Sequence, residues 1–585
     1  MFIVLTNKYL CGKILVNNYE EKYAMKKLIS IILSVVMLFT MFAMPASAAE
    51  GEKREKCPII MISGSSIDIC DADGNVISTG FDVLSDDDEG DMSTEDIIEA
   101  AMNIIKPFIL EGLPFDKWDN YGKALYEELS PIWDTTQLDY NGNAKYGTGV
   151  SKEEIAYWDN QAQTVDTGKD GKFNINDYKF RYDWRLSPYD HVDRLHQFIK
   201  DVIETTDCDQ VALAGRCIGG GIITAYLEKY GKEGLVKKVF YDETMSNGSS
   251  VISDCFSGKI KLSDKHAQAY ALESKYYGEE YGVGIDLAGI DELVVQLVED
   301  TLEYLVQSGI ATGVFGTVEA LYERLYEVFM PAMLLSTGIG TWVNYWLSVY
   351  EDDMDRAIDL IFGKEGTETR AQYAGLIEKI TYIREHITQK TPDLYKTFAE
   401  KYGVEVGILA SYGLANAPIT EHYDETGDVL VGVQDSSFGA TASGLFAPLS
   451  DEYIKERIEA GYGEYISPDG RIDASTCLFP ETTWFIKNKH HDLGGYEYLV
   501  EYFTQYSNVK VNDNNKNVAR FLVYTGEKWP GFVNMTEENM ADGPWITEIE
   551  QKPTVKTIFS SFVQFMKSLF AVLKQFFEGL FNNAE

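Results

Sequence analysis

The chain has 585 residues, 45% of them hydrophobic and 13% aromatic. That suits two to four average domains, or one large domain carrying an insertion, and disorder is not the default. A formal net charge of −41 argues against nucleic acid as a partner, because a polyanion repels phosphates instead of releasing their counterions. In chain order, the first feature is MKKLISIILSVVMLFTMFAMPASA at residues 25–48. Its basic start, apolar run and A-x-A end are those of a secretory signal peptide, with cleavage expected after Ala48 and the product secreted, with cell-surface association the further option. Residues 1–24 are read as an upstream extension. No later segment has 18 uncharged apolar residues, so no membrane span is expected.

Six cysteines follow the leader: Cys57, Cys70, Cys208, Cys217, Cys255 and Cys477. Six in so long a chain is not a disulfide scaffold, although Cys57 with Cys70 is a candidate bridge. No pair has the doubled C-x-x-C spacing of a zinc site. Residues 58–63 (PIIMIS) read as a buried strand running into a loop, and helical stretches continue to about 130. DTGKDGKFNIND (166–177) approaches a calcium loop through Asp166, Asp170 and Asp177. It has glycine where a third ligand belongs and runs straight into a strand, so no metal is assigned. YKFRYDW (178–184) alternates like a strand. SPYDHVDRLHQFIKDVIETT has helical spacing, with Ser187 and Pro188 suited to its start.

The next stretch, QVALAGRCIGGGIITAYLEKYG (210–231), runs from an apolar strand through a Gly-rich corner into a helix. Another strand, VKKVFYDE (236–243), follows. Strand and helix alternate here, as in a mostly parallel α/β sheet. Residues 264–402 then turn almost wholly helical. Strands resume at 404–413, 428–433, 482–487 and 519–526. The expected layout is a core of 49–263 and 403–552 interrupted by a helical cap, 264–402. A final helix, 553–585, is apolar over most of its circumference. Its segment 554–583 is expected to dock on a membrane surface, on a partner or on its own domain.

The corner carries the chemistry. G-x-S-x-G between strand and helix holds its central side chain exposed in a strained backbone, and the flanking glycines give the turn room. Here Cys217 stands at the centre, with Gly215, Gly219 and Gly220 around it. The following helix aims its amides and positive dipole at the sulfur, favouring a thiolate. The N–H of Ile218 and a loop N–H near Ser65 are the expected oxyanion hole. The bland alternative is a buried cysteine in an ordinary turn.

For the base, the chain order nucleophile, acid, base leaves His490 and His491 out of seven histidines, directly after the strand at 482–487. His491 is preferred and His490 is the alternative. For the acid, the turn SPDGRIDAST (467–476) offers Asp469 beside Gly470, with Asp473 as competitor.

YKFRYDWRLSP (178–188), VALAGRCIGGGIITAYL (211–227), the Asp469–Ile472 turn and the late histidine resemble the lecithin:cholesterol acyltransferase family, which includes lysosomal phospholipase and bacterial lipase-like relatives. Residues 330–363 also look like that family's segment between cap and core. The resemblance implies an α/β-hydrolase fold and, position by position, Cys217 as nucleophile, Asp469 as acid and His491 as base. Cysteine replaces the family's serine, and Arg216 its usual histidine. The expectation is a secreted hydrolase or acyltransferase, acting on a hydrophobic acyl ester or lipid-like substrate without a cofactor. The rival expectation is a catalytically inactive binding protein that keeps the fold.

Overall fold

The structure, a computed structural model, describes residues 54–546 apart from 65–68, 72–73, 79–93, 132, 260, 262, 282–317, 419, 512–518, 527–529 and 544–545. The expected signal peptide, Ser65, part of the helical block and the 553–585 helix therefore lie outside the described residues. No helix among the described residues is long and apolar enough to cross a membrane.

Eight strands make the main sheet: β1 (Ile59–Ile62), β2 (Tyr178–Lys179), β3 (Val211–Arg216), β4 (Val236–Asp242), β5 (Glu405–Tyr412), β6 (Thr483–Lys487), β7 (Phe521–Tyr524) and β8 (Phe532–Asn534). Their order is β8-β7-β6-β5-β4-β3-β1-β2. Seven run parallel and β8 closes the edge antiparallel to β7. Both faces are covered, so β1 and β3 are buried at every residue. That is why they read as continuous apolar runs and not as alternating ones.

Helices make the crossovers. α1 (Val192–Thr206) joins β2 to β3, and α2 (Gly219–Tyr230) joins β3 to β4. Between β4 and β5 comes the helical insertion, which includes α3 (Asp264–Tyr281), α4 (Val318–Ser336), α5 (Met354–Phe362) and α6 (Ala374–His386). The result is an α/β fold with an eight-stranded, mostly parallel sheet and a helical insertion, the class expected from the sequence.

Two expected strands differ. Residues 178–184 pair only at Tyr178–Lys179, because the segment turns where Asp183 takes the Arg185 side chain. Arg185 is fully buried, bonded to both Asp183 oxygens and to the carbonyls of Thr135, Thr136 and Gly147. It is a structural ion-pair partner. Residues 428–433 form no strand either. The Asp428 Oδ1 accepts the N–H of Leu430 at 2.9 Å and of Val431 at 2.6 Å, which folds the backbone into a local turn.

Nor do Cys57 and Cys70 bridge. All six described cysteines are free. The Cys57 Sγ points at the Gln210 carbonyl, whereas Cys70 pairs through its backbone with Thr148 on the far side of β1 in sequence.

At the corner after β3 the glycines are steric requirements. A Cβ on Gly219 would lie 2.1 Å from the Ile62 carbonyl oxygen, and one on Gly220 would lie 2.2 Å from Ser246 Oγ. The Ile62 oxygen belongs to the sheet backbone and cannot yield without breaking β1 from its neighbours. Gly219→Ala is therefore expected to destabilise the protein by about 1–3 kcal/mol through overpacking, measured as a lowered denaturant midpoint at unchanged slope.

Candidate active site

Parallel strands deliver their following loops to one edge of the sheet, where ligand sites of α/β proteins sit. In this register Arg216 pairs with Asp242 and Asp242 with Leu409, so β3, β4 and β5 end close together. Cys217 follows β3, Glu243 follows β4, Asp428 lies in the loops after β5, and His491 follows β6.

Cys217 has φ +52°, a left-handed conformation that costs a non-glycine residue energy and persists only where the surroundings enforce it. Its N–H donates to the Asp242 carbonyl at 3.2 Å, and its own carbonyl accepts from Gly220 at 3.3 Å. These bonds and the close-packed glycines hold the corner. α2 begins two residues later, and Ile218, flanking the helix start, is buried beside the sulfur. Tyr182 lies close to the Cys217 sulfur and donates its hydroxyl to the Ser63 carbonyl at 2.9 Å.

His491 joins the corner to the acid. Its Nδ1 is 2.7 Å from Asp428 Oδ2, and its side chain lies beside Cys217. With Nδ1 on the carboxylate, Nε2 is the nitrogen left for the sulfur. The backbone repeats the link, since the His491 N–H donates to the Asp428 carbonyl at 3.0 Å.

The charges follow from the geometry. Burial disfavours a charged imidazole, but Asp428 and Cys217 outweigh it and raise His491 well above the ordinary histidine range. Burial likewise works against the Asp428 carboxylate. The imidazolium and the Leu430 and Val431 N–H groups prevail, holding it below the usual carboxylate range. Both side chains are almost completely buried.

The preferred acid of the sequence reading, Asp469, is not on the imidazole. Its Oδ2 pairs with Lys487 Nζ at 2.9 Å, and it accepts from Ser467 Oγ at 2.6 Å and from the Tyr412 hydroxyl at 3.3 Å. Its turn packs, through Ile472 and Ala474, into the smaller core that holds Phe485, while Trp484 and Ile486 of the same strand join the main core. Asp473 is likewise engaged elsewhere, by Arg457 at 2.7 Å and the Tyr453 hydroxyl at 2.9 Å. His490, the alternative base, packs its ring against Tyr277 of α3, and burial pushes it down to about 3.

Asp428 was missed because its segment, DVLVGV, was read as a strand. The signal was an aspartate in the loops following the strand that precedes the histidine strand. Val429 carries φ +85°, a rare conformation for a β-branched residue. The turn that presents the carboxylate is thus as strained as the one that presents the sulfur.

A second layer of buried charge surrounds Cys217, Asp428 and His491. The Glu243–Lys489 pair, 2.7 Å apart, is fully buried. The Arg216 guanidinium bonds the His491 carbonyl, lies over the Tyr496 ring at 4.6 Å and pairs with Asp242 at 3.4 Å. Arg216 therefore ties the strand before the cysteine to the loop of the histidine. Glu243, Asp428 and His491 offer three possible metal-ligand atoms within 4.8 Å of one another. Two of these already share a hydrogen bond and the third has a lysine partner, so a metal would have to displace both. The Asp166, Asp170 and Asp177 carboxylates each accept a backbone N–H of their own loop, from Gly168, Lys172 and Asn174.

No family model, no curated protein and no solved structure matches this chain. The geometry is thus the main witness to what the site does.

Two outcomes test the assignments. Asp428→Asn is expected to slow any Cys217-dependent ester cleavage on the order of 10³-fold or more, by loosening the imidazole and its charge. Asp469→Asn is expected to leave that rate close to wild type, so steady-state kinetics of the pair decides between the two acids. His490 predicts a stability slope. Its folded pKa lies below the unfolded value near 6.5, so the unfolded chain takes up the extra proton first. The stability due to neutral His490 is complete above about pH 6.5. As pH falls towards 3 it is lost at up to about 1.4 kcal/mol per unit. Across that window the stability of the wild type relative to His490→Gln should fall with this slope as the pH drops, read from parallel denaturation of the two proteins.

Proposed function

We propose that this chain is an enzyme of α/β-hydrolase type that cleaves or transfers acyl groups through a cysteine nucleophile. Cys217 is the nucleophile, His491 the base and then the acid, and Asp428 the carboxylate that orients the imidazole and stabilises its charge. The observation that carries the reading is the position of one imidazole. It hydrogen-bonds a buried carboxylate and lies beside a strained cysteine at a strand–helix corner. The chain order Cys217, Asp428, His491 also agrees with the nucleophile, acid, base order of that fold. The resemblance to the lecithin:cholesterol acyltransferase family supports the same class, with Asp428 taking the role first given to Asp469.

In this reading the Cys217 thiolate attacks the ester carbonyl carbon. The carbonyl electrons move onto the oxygen, which the Ile218 N–H faces. As the tetrahedral adduct collapses, the C–O bond breaks and the His491 imidazolium gives its proton to the departing alcohol oxygen. The acyl-thioester left on Cys217 then meets water or an acceptor alcohol. His491 removes the acceptor's proton as the acceptor oxygen bonds the acyl carbon, and the C–S bond then breaks to release the Cys217 thiolate. The same steps yield hydrolysis or transfer, according to the acceptor.

A hydrophobic acyl ester is the substrate class that suits the surroundings. The insertion's first helix, α3, lies over the histidine loop, with Tyr277 donating to the Asn488 carbonyl at 2.8 Å. Tyr182 and Ile218 bring aromatic and aliphatic surface to the sulfur. In this reading the signal-like leader at 25–48 directs the enzyme to export.

Intact-mass spectrometry after incubation with p-nitrophenyl esters of graded chain length tests the proposal. A mass increase of one acyl group, mapped to Cys217, is expected; it should be absent in Cys217→Ala and form slowly in His491→Ala. If no ester acylates the protein, and iodoacetamide labels Cys217 no faster than in denatured chain, the protein is the inactive binding scaffold instead.

A further inference from the structure

The turn that presents Asp428 has a second polar cluster at its base. Gly427 and Gly432 pair across that base as an isolated antiparallel bridge. In front of the Gly432 Cα three side chains converge. A Cβ built there would lie 2.9 Å from Glu425 Oε2, 3.4 Å from Asn416 Nδ2 and 3.4 Å from Asp435 Oδ2. Gly432 has φ −62° and ψ 142°, a conformation open to any residue. A side chain added here would press on the Glu425 carboxylate, not on its own backbone.

The second observation is the amide. Asn416 is fully buried, and neither its oxygen nor its nitrogen has a hydrogen-bond partner; Glu425 Oε2 has none either. A buried polar atom without a partner costs about 1–3 kcal/mol, and such atoms are rare enough in native proteins to need a cause. Asp435, by contrast, accepts the Tyr350 hydroxyl at 2.8 Å and the Ser250 N–H at 3.0 Å, which aim its carboxylate. The charge is lopsided too. Glu425, Asp435 and the fully buried Asp254 share this region with His422, which bonds Asp254 at 2.8 Å, and with Lys259, which pairs with Asp353 at 2.6 Å.

We propose that this cradle binds a hard divalent cation of the calcium type, held by Glu425, Asp435 and the Asn416 amide oxygen, and that the ion clamps the base of the turn that presents Asp428. A half-turn of the amide exchanges its nitrogen for its oxygen and completes an all-oxygen donor set. Calcium takes oxygen ligands at about 2.3–2.6 Å in flexible geometry, whereas magnesium needs a tighter octahedron. Donors spread over the front of Gly432 suit the larger ion. The site is distinct from the 166–177 loop and from the triad.

Binding is read without reference to ester chemistry, so its failure and failure of the proposed activity are separable. Full-length protein stripped with EDTA and titrated with calcium chloride by calorimetry at pH 7.5 is expected to take up one ion per chain, and its thermal midpoint is expected to rise by a few degrees. Glu425→Gln with Asp435→Asn should abolish both effects. Should that double variant fold poorly, Gly432→Ala removes no ligand but puts a methyl among the oxygens, and it should also abolish binding. Asp166→Asn with Asp177→Asn should bind as wild type does. No heat and no midpoint shift at millimolar calcium would overturn the proposal. So would binding that survives Gly432→Ala, or that is lost in the 166–177 variant.

Discussion

The hydrogen bond between His491 Nδ1 and Asp428 Oδ2 is the contact on which the rest of the site depends. An imidazole buried this deeply would ordinarily be neutral, since desolvation penalises its charge. Asp428 reverses that penalty, and the turn's own N–H groups stop the carboxylate from taking up the proton instead. The chemistry proposed for this protein is therefore set by how one carboxylate is held, as well as by the presence of a cysteine.

Holding it takes two strained turns and a shell of buried charge. Cys217 and Val429 both adopt left-handed backbone, and each is enforced by tertiary contacts: the crowded glycines at one corner, the paired glycines at the base of the other. Arg216 and the Glu243–Lys489 pair connect the ends of β3 and β4 to the histidine loop. Buried ion pairs of this kind add little net stability over an apolar replacement, but they are costly to break singly. Their value here is positional, because each one fixes the end of a strand that carries a site residue.

Much of the fold was legible in the sequence, for physical reasons. Strands buried on both faces are largely apolar, so β1, β3 and β6 stand out at nearly their observed limits, and β4 does so despite Lys237 and Lys238. The Gly215–Cys217–Gly219–Gly220 corner was legible because its packing tolerates so little. His491 emerged by elimination, since histidine is scarce and the loop after β6 follows a clear strand. Asp428 was obscured by its neighbours. Val429, Leu430, Val431 and Val433 look like strand residues, and only the side chain of Asp428, capping its own turn, prevents the strand from forming. Asp469 attracted the role because an Asp-Gly turn is conspicuous, although a lysine at the end of β6 already neutralises it.

Local sequence thus determined the alternation of strand and helix, the helical insertion and the cysteine corner, because each rests on periodicity or on steric demand between near neighbours. Which aspartate meets His491 was decided only by the tertiary structure. Asp428 is 63 residues from its partner, and Asp469 is much nearer in the chain. Sheet order and the split of the loops between two cores bring the distant one into contact. Carboxylates of identical chemistry are told apart by the partners that reach them first, and those partners are set by the packing.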